Sequence, residues 1–246
     1  MKTTLKIVIY LLAGLSMLPQ SGVAGEWGIG MAAAYIQPPH TGVDSDVRAL
    51  PYVTYHGEHF NLDLGTVTYT LHQTGTMKIA LEGELRFDGY EPQDSPALAG
   101  MAERRPSFDA GLSLARTDST GEMKIMILGD ITGTHEGVEA RAQYQIPYMI
   151  NRMFIAPAVG VSWLSSDLVD YYYGVRANEV TGNRAYYTGE AVTNIFVDLA
   201  VGYQISERVE LLGGLKVTRM GKNITASPIV DKKHDTCAFT TLQYKF

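Results

Sequence analysis

Apolar and polar residues alternate one by one along much of this chain. From Met77 to Asp88, Met77, Ile79, Leu81, Gly83, Leu85 and Phe87 interleave with Lys78, Ala80, Glu82, Glu84, Arg86 and Asp88. A period of two held over 12 residues describes a strand with one apolar and one polar face. The pattern returns in Phe108 to Leu114, in Val138 to Ile146 and in Ile195 to Tyr203. Further strands are predicted at Trp27 to Ile36, Val47 to His56, Phe60 to Leu71, Met123 to Thr132, Phe154 to Leu164, Val209 to Arg219 and Thr236 to Phe246. Runs of about ten residues exceed the ~5–6 usual in soluble sheets and match the ~9–11 of a tilted membrane strand.

Turn residues separate these runs at His56-Gly57-Glu58-His59, Thr74-Gly75-Thr76, Asp118 to Gly121 and Thr132 to Gly137, and longer connections fall at Gln37 to Asp46, Gly89 to Pro106 and Ser165 to Glu190. With no repeat or linker, one domain is expected. The eleven segments conflict with the even strand number of single-chain bacterial barrels. Tyr171 to Arg176 could supply a twelfth strand, which would put 89–106 on the periplasmic side; a missed strand before Met77 would put it outside. Twelve strands are favoured, ten is the alternative, and the side of 89–106 is open.

The first 24 residues hold no acid, carry Lys2 and Lys6 ahead of an apolar run from Ile7 to Leu18, and close on Gly22-Val23-Ala24. They read as a secretory signal peptide cleaved near Ala24, which leaves a single barrel domain over 25–246. Without those two lysines, 18 bases face 26 acids, a formal charge of −8 that disfavours a nucleic-acid partner. Beyond Leu18 no run approaches the ~18 apolar residues of a spanning helix. With Cys237 as the one cysteine, no internal disulfide is possible.

A soluble β-sandwich would also alternate. Strand length, tyrosines near strand ends (Tyr35, Tyr90, Tyr144, Tyr148, Tyr203) and the final strand argue instead for an antiparallel transmembrane β-barrel of the outer membrane. In that last strand Phe246, Tyr244, Leu242, Thr240 and Ala238 share one face, and Lys245, Gln243, Thr241 and Phe239 share the other. Tyr244 and Phe246 resemble the terminal signal read by the barrel-assembly machinery. The lumenal face would hold Glu82, Glu84, Arg86, Asp109, Asp130, Glu139, Arg141, Asp198 and Lys216, whose opposite charges should pair across the interior and leave little open bore.

No catalytic, cofactor or metal site is expected. The six histidines sit mostly in turns, where solvation is the default, and none follows a His-Glu-x-x-His spacing. The most unusual string is Asp170-Tyr171-Tyr172-Tyr173-Gly174-Val175, either an aromatic cluster at the membrane interface or a rigid binding surface. Ala226 to Lys233 is a second loop of note, with its φ fixed at Pro228.

Asp170 to Val175 followed by Glu179, Ser227-Pro228-Ile229-Val230-Asp231 and the final Tyr244-Lys245-Phe246 resemble the MipA/OmpV family of outer-membrane proteins. Pro51 to Tyr55 with Gly57, and Glu103-Arg104 ahead of Gly111-Leu112-Ser113, match in the same order. The chain departs from the family at Ala226 and Ala102, where acids are common, and at His40, where an aromatic follows the first loop's proline. The resemblance implies a non-enzymatic scaffold that brings a lytic transglycosylase together with a bifunctional murein synthase. Adhesion, envelope stress or osmotic response is the alternative it implies. A barrel hydrolase is a third reading, which needs a Ser, a His and an acid at one rim.

Overall fold

A computed structural model describes residues 25–246; the expected signal peptide lies outside the described residues. Twelve antiparallel strands follow one another: β1 (Glu26–Gln37), β2 (Asp46–His56), β3 (Phe60–Asp63), β4 (Thr66–Gln73), β5 (Met77–Arg86), β6 (Ser107–Thr117), β7 (Glu122–Asp130), β8 (Val138–Gln145, resuming as Tyr148–Ile150), β9 (Met153–Leu164), β10 (Val192–Gln204), β11 (Val209–Arg219) and β12 (His234–Lys245). Each strand bonds to the next in sequence, and β12 bonds back to β1 from Gly28↔Lys245 to Gln37↔Thr236, so the sheet closes. The two pieces of β8 keep one register on β9, with Gln145↔Ala158 and Tyr148↔Ile155, and are a single strand interrupted at Ile146-Pro147. Pro147 lies beyond β7, whose last partner on β8 is Gln145, so its missing N–H leaves no ladder bond unmade.

The twelfth strand is not where Tyr171 to Arg176 suggested. It comes from a turn at Leu64-Gly65 that divides the predicted run Phe60 to Leu71, with Asp63 paired to Thr66 and Gly65 at φ 65°. Residues 166–173 instead form helix α1 (Ser166–Tyr173), which buries Leu168, Val169, Tyr172 and Tyr173 along one face. The same hidden strand before Met77 fixes the sidedness of the barrel. The connections 38–45, 87–106, 131–137, 165–191 and 220–233 all leave one end, while the turns 57–59, 74–76, 118–121, 151–152 and 205–208 and both strand termini lie at the other. Bacterial barrels carry short periplasmic turns and long outer loops, so 89–106 is extracellular.

The strand faces follow the alternation. Outward residues include Ile29, Met31, Leu81, Leu112, Ile127, Val161, Ile195 and Leu242, all substantially exposed, bounded by Trp27 and Tyr55 near one rim and Tyr35 near the other. Most of the lumenal charges are paired. Arg86 reaches Asp109 at 2.8 Å, Glu139 at 2.5 Å and Asp88 at 2.9 Å; Arg141 reaches Glu84 at 3.2 Å and Glu139 at 2.9 Å; Lys124 reaches Glu82 at 2.8 Å. Three residues differ from the expected pairing: the turn after Asp130 supplies backbone amides to its carboxylate, and Asp198 and Lys216 make no ion pair among the described residues, Lys216 lying over the Phe196 ring.

Candidate functional site

The outer loops fold inward into a cap over this charged lumen. Leu164, Leu168, Val169, Tyr172 and Tyr173 pack on Tyr90, Leu98 and Met101 from 87–106 and on Met220, Ile224, Ile229 and Val230 from 220–233. Gly189 makes the approach possible: a methyl there would overlap the backbone of Asp170. Asp170 then accepts the Gly189 N–H at 2.7 Å, and the Gly174 N–H ends α1 on the Asp170 carbonyl at 2.9 Å.

Arg104 is the centre of the cap and is 1% exposed. Its Nη1 and Nη2 donate to Glu179 Oε1 at 3.0 Å and Oε2 at 2.9 Å, Nη1 also to the Ala102 carbonyl at 2.9 Å, and Nε to the Tyr171 carbonyl at 2.5 Å. Tyr90 and Tyr171 each lie 5.8 Å from the guanidinium carbon. Glu179 accepts two further bonds, from the Ala102 and Arg176 amides, and these donors hold its carboxyl down at about 2 despite burial. Arg184 caps the same segment, donating to the carbonyls of Ala97, Ala99 and Glu179.

The three consecutive tyrosines divide their roles. The Tyr171 hydroxyl accepts the Arg105 N–H at 3.0 Å; the Tyr172 hydroxyl donates to the Arg105 carbonyl at 3.2 Å; the Tyr173 carbonyl accepts the Ser227 hydroxyl at 2.6 Å. Burial raises the Tyr172 and Tyr173 hydroxyls well above the ordinary phenol range and Tyr90 to about 12. Ser227 is buried while Pro228 stays exposed, and Asp231 Oδ2 accepts the Gly42 N–H at 3.4 Å. The motif residues of the outer loops therefore meet in one cap, whereas Gly57, Tyr244 and Phe246 lie at the opposite rim. There the Phe246 N–H bonds the Trp27 carbonyl at 2.9 Å and the side chain is 68% exposed.

Two histidines are not the solvated turn residues expected. His40 is buried, donates from Nε2 to the Tyr172 carbonyl at 3.3 Å, stacks on Tyr173 and meets Tyr90 edge-on; burial lowers it to about 4. The Tyr172 partner is 132 residues away and the other two are also remote in sequence, which no local signal reveals. His135 is buried too, and it brings a Ser, a His and an acid to one rim. Its Nε2 donates to Asp109 Oδ1 at 3.0 Å, and the Ser107 hydroxyl donates to that same oxygen at 2.9 Å. Its Nδ1 accepts the Gly137 N–H, so neither ring nitrogen is left to take a proton from Ser107, as a Ser–His–acid relay requires. Asp109, Asp130 and His135 also place ligand atoms within 4.8 Å of one another. Arg86 and the amides of residues 134–136 already occupy those carboxylates, so a cation would have to displace them.

Compared with known proteins, residues 29–246 match the family model described as MltA-interacting protein MipA. The MltA-interacting protein of Escherichia coli K12 is 26% identical over 240 residues, covering 95% of this chain and 96% of its own. The putative outer membrane protein YiaT of the same strain is 25% identical, covering 92% and 93%. Outer membrane protein OmpV of Vibrio cholerae is 26% identical, covering 100% and 99%. Among solved structures, a NanC porin aligns at 10% identity with a TM-score of 0.45, covering 89% of this chain and all of that one. The protein is an outer-membrane β-barrel.

Proposed function

We propose a role for this chain, which belongs to the MltA-interacting protein MipA family, as a non-enzymatic scaffold. In this role it holds a lytic transglycosylase and a bifunctional murein synthase together at the inner face of the outer membrane. The observation that carries the reading is the end-to-end match to a relative named for such an interaction. The described residues support it from a second side. The Ser107–Asp109–His135 group lacks the order of a catalytic relay, and the polar groups of the cap are spent on one another. The barrel-assembly machinery is the further partner, acting on Tyr244 and Phe246.

In the same reading Asp170, Tyr171, Tyr172, Tyr173, Gly174, Glu179, Arg104, Ser227, Pro228 and Asp231 stabilise the barrel and do not contact the murein enzymes. The short turns at the rim opposite the cap carry that contact. A cross-linked pull-down from intact envelopes tests it: folded protein at native levels should bring down a lytic transglycosylase and a murein synthase while hydrolysing no phospholipid, peptide or glycan. Repeated absence of both enzymes replaces the scaffold by the adhesin or envelope-stress alternative, for which the clustering of all long loops at the outer end is the favouring observation. Replacing Tyr171, Tyr172 and Tyr173 by alanine separates the uses of the cap. Lost loop order with retained partners supports the structural role, and lost partners in an ordered cap overturn it.

A further inference from the structure

The shortness of β3 leaves the barrel wall incomplete. β3 pairs with β2 at Tyr55↔Leu62 and His56↔Asn61 alone, and the β3–β4 turn reaches β5 at Glu84 through Thr66. Above that level β2 continues from Thr54 to Asp46 with β1 on one side and, among the described residues, no strand on the other. Because the Gly57 N–H bonds Phe60 across the β2–β3 turn and the β1–β2 register is unbroken, the backbone groups of Val47, Ala49, Pro51 and Val53 point to the open side. Among the described residues no backbone bond is made from that edge to a neighbouring strand. Pro51 has no N–H to offer in the middle of it, the placement proline takes on a strand edge that stays unpaired.

This edge lies at membrane depth. Val47 pairs with Tyr35 and Val53 with Ile29, inside the band bounded by Trp27 and Tyr35, and the open stretch is about 20 Å long at ~3.4 Å per residue. Backbone left unpaired at that depth needs protein or water against it. Loops 38–45 and 87–106 close over the top, where the Ser95 hydroxyl bonds the Thr41 carbonyl at 2.8 Å. The far jamb is β5 beyond its last β4 partner, and Glu84 to Asp88 there line a cavity of about 130 Å³ under the cap. Among the described residues, two charged groups that face that cavity have no ion-pair partner. Asp235 Oδ1 is buried with no hydrogen bond, and Lys216 Nζ sits 4.5 Å over the Phe196 ring with no carboxylate in ion-pair range among the described residues. They lie on adjacent strands, Lys216 opposite Cys237 and Asp235 opposite Thr218.

We propose that the gap between β2 and β5 is a lateral window through which the zwitterionic head group of a single-chain amphiphile enters the cavity from the outer leaflet. Its ammonium meets Asp235, its phosphate meets Lys216, and its hydrocarbon tail stays in the bilayer against Val47, Ala49 and Val53. The proposal is independent of the scaffold reading.

The test uses the folded full chain carrying Cys237→Ser, in nanodiscs of phosphatidylglycerol. Ala49→Cys is placed at the window, and Ala33→Cys, its partner on β1 at the same depth, is the control. A charged, membrane-impermeant maleimide should label Ala49→Cys at least tenfold faster than Ala33→Cys, and lysophosphatidylethanolamine should slow that labelling while lysophosphatidylglycerol does not. Asp235→Asn or Lys216→Met should abolish the protection without changing the unprotected rate. Equal rates at the two cysteines overturn the window. Fast labelling that the zwitterion does not slow, or protection indifferent to both substitutions, overturns the head-group site.

Discussion

Glu179→Ala should open the cap without unfolding the barrel. The side chains of Arg104 and Glu179 are 0% and 1% exposed, so the substitution strands a guanidinium in a site that water does not reach. It removes both bonds to Arg104 and frees the amides of Ala102 and Arg176. Breaking one side of a buried pair costs about 3–5 kcal/mol. At ~1.4 kcal/mol per tenfold, the open population of 87–106 and 165–191 should rise roughly 100- to 4000-fold. Limited proteolysis reads that population directly when reclosing outpaces cleavage. The strands do not use the pair, so heat-dependent gel mobility should be unchanged. Cleavage within about threefold of the parent, in a barrel of normal mobility, would show that the pair does not hold the cap.

Acidification should act on the same loops. His40 falls from 6.5 to about 4 on folding, so the unfolded loop binds more protons between those values, and cap stability is complete above pH 6.5 and declines towards pH 4. His40→Gln should flatten the pH dependence of loop proteolysis across that interval. Glu179, depressed from 4.5 to about 2, contributes stability that is present above 4.5 and lost as pH falls through 2, so the parent cap should loosen further below pH 4.5. Gly189→Val should displace α1 and raise loop cleavage as Glu179→Ala does, since no rotamer clears the Asp170 backbone. Deleting Phe246 should lower the folded protein recovered in the outer membrane far more than Lys245→Ala, although Lys245 pairs with Glu210 at 2.8 Å; equal losses would show that the terminal signal was read in the wrong register.

The barrel was legible because lipid on one side and charge on the other imposes a period of two, and Met77 to Asp88 carries it without a break. The twelfth strand escaped because Phe60 to Leu71 is apolar enough to pass as one run. Its outward residues shift from Phe60 and Leu62 to Val67 and Tyr69, from even to odd positions, and that change of parity at Gly65 is the mark of a turn. In 165–191, tyrosine's strand preference pointed to an extended segment at Tyr171 to Arg176. The spacing of Leu168, Val169, Tyr172 and Tyr173 is helical, and packing of that face on three other loops decided the outcome. The burial of His40, His135 and Arg184 left no local trace, because each is covered by chain far away in sequence.

The placement of the motif residues bears on which end of the barrel meets a partner. A loop that binds proteins by its side chains must keep donors and acceptors free, yet Arg104, Glu179, Ser227, Asp170 and Asp231 all spend theirs inside the cap. Holding four connections together in this way covers the outer end and fixes the tops of the strands they join. The exposed polar residues of the opposite rim, among them Glu58, Asp118, Arg152 and Glu207, sit on turns of two to four residues whose backbones the strands hold in place. A rigid, mixed-charge rim of this kind suits docking of enzymes that work on the cell wall beneath the membrane, and it needs no loop to order on binding. The scaffold role proposed above predicts that substituting charges in those turns weakens recovery of the murein enzymes while leaving the cap protease-resistant; if cap substitutions do so instead, the partner face has been assigned to the wrong end.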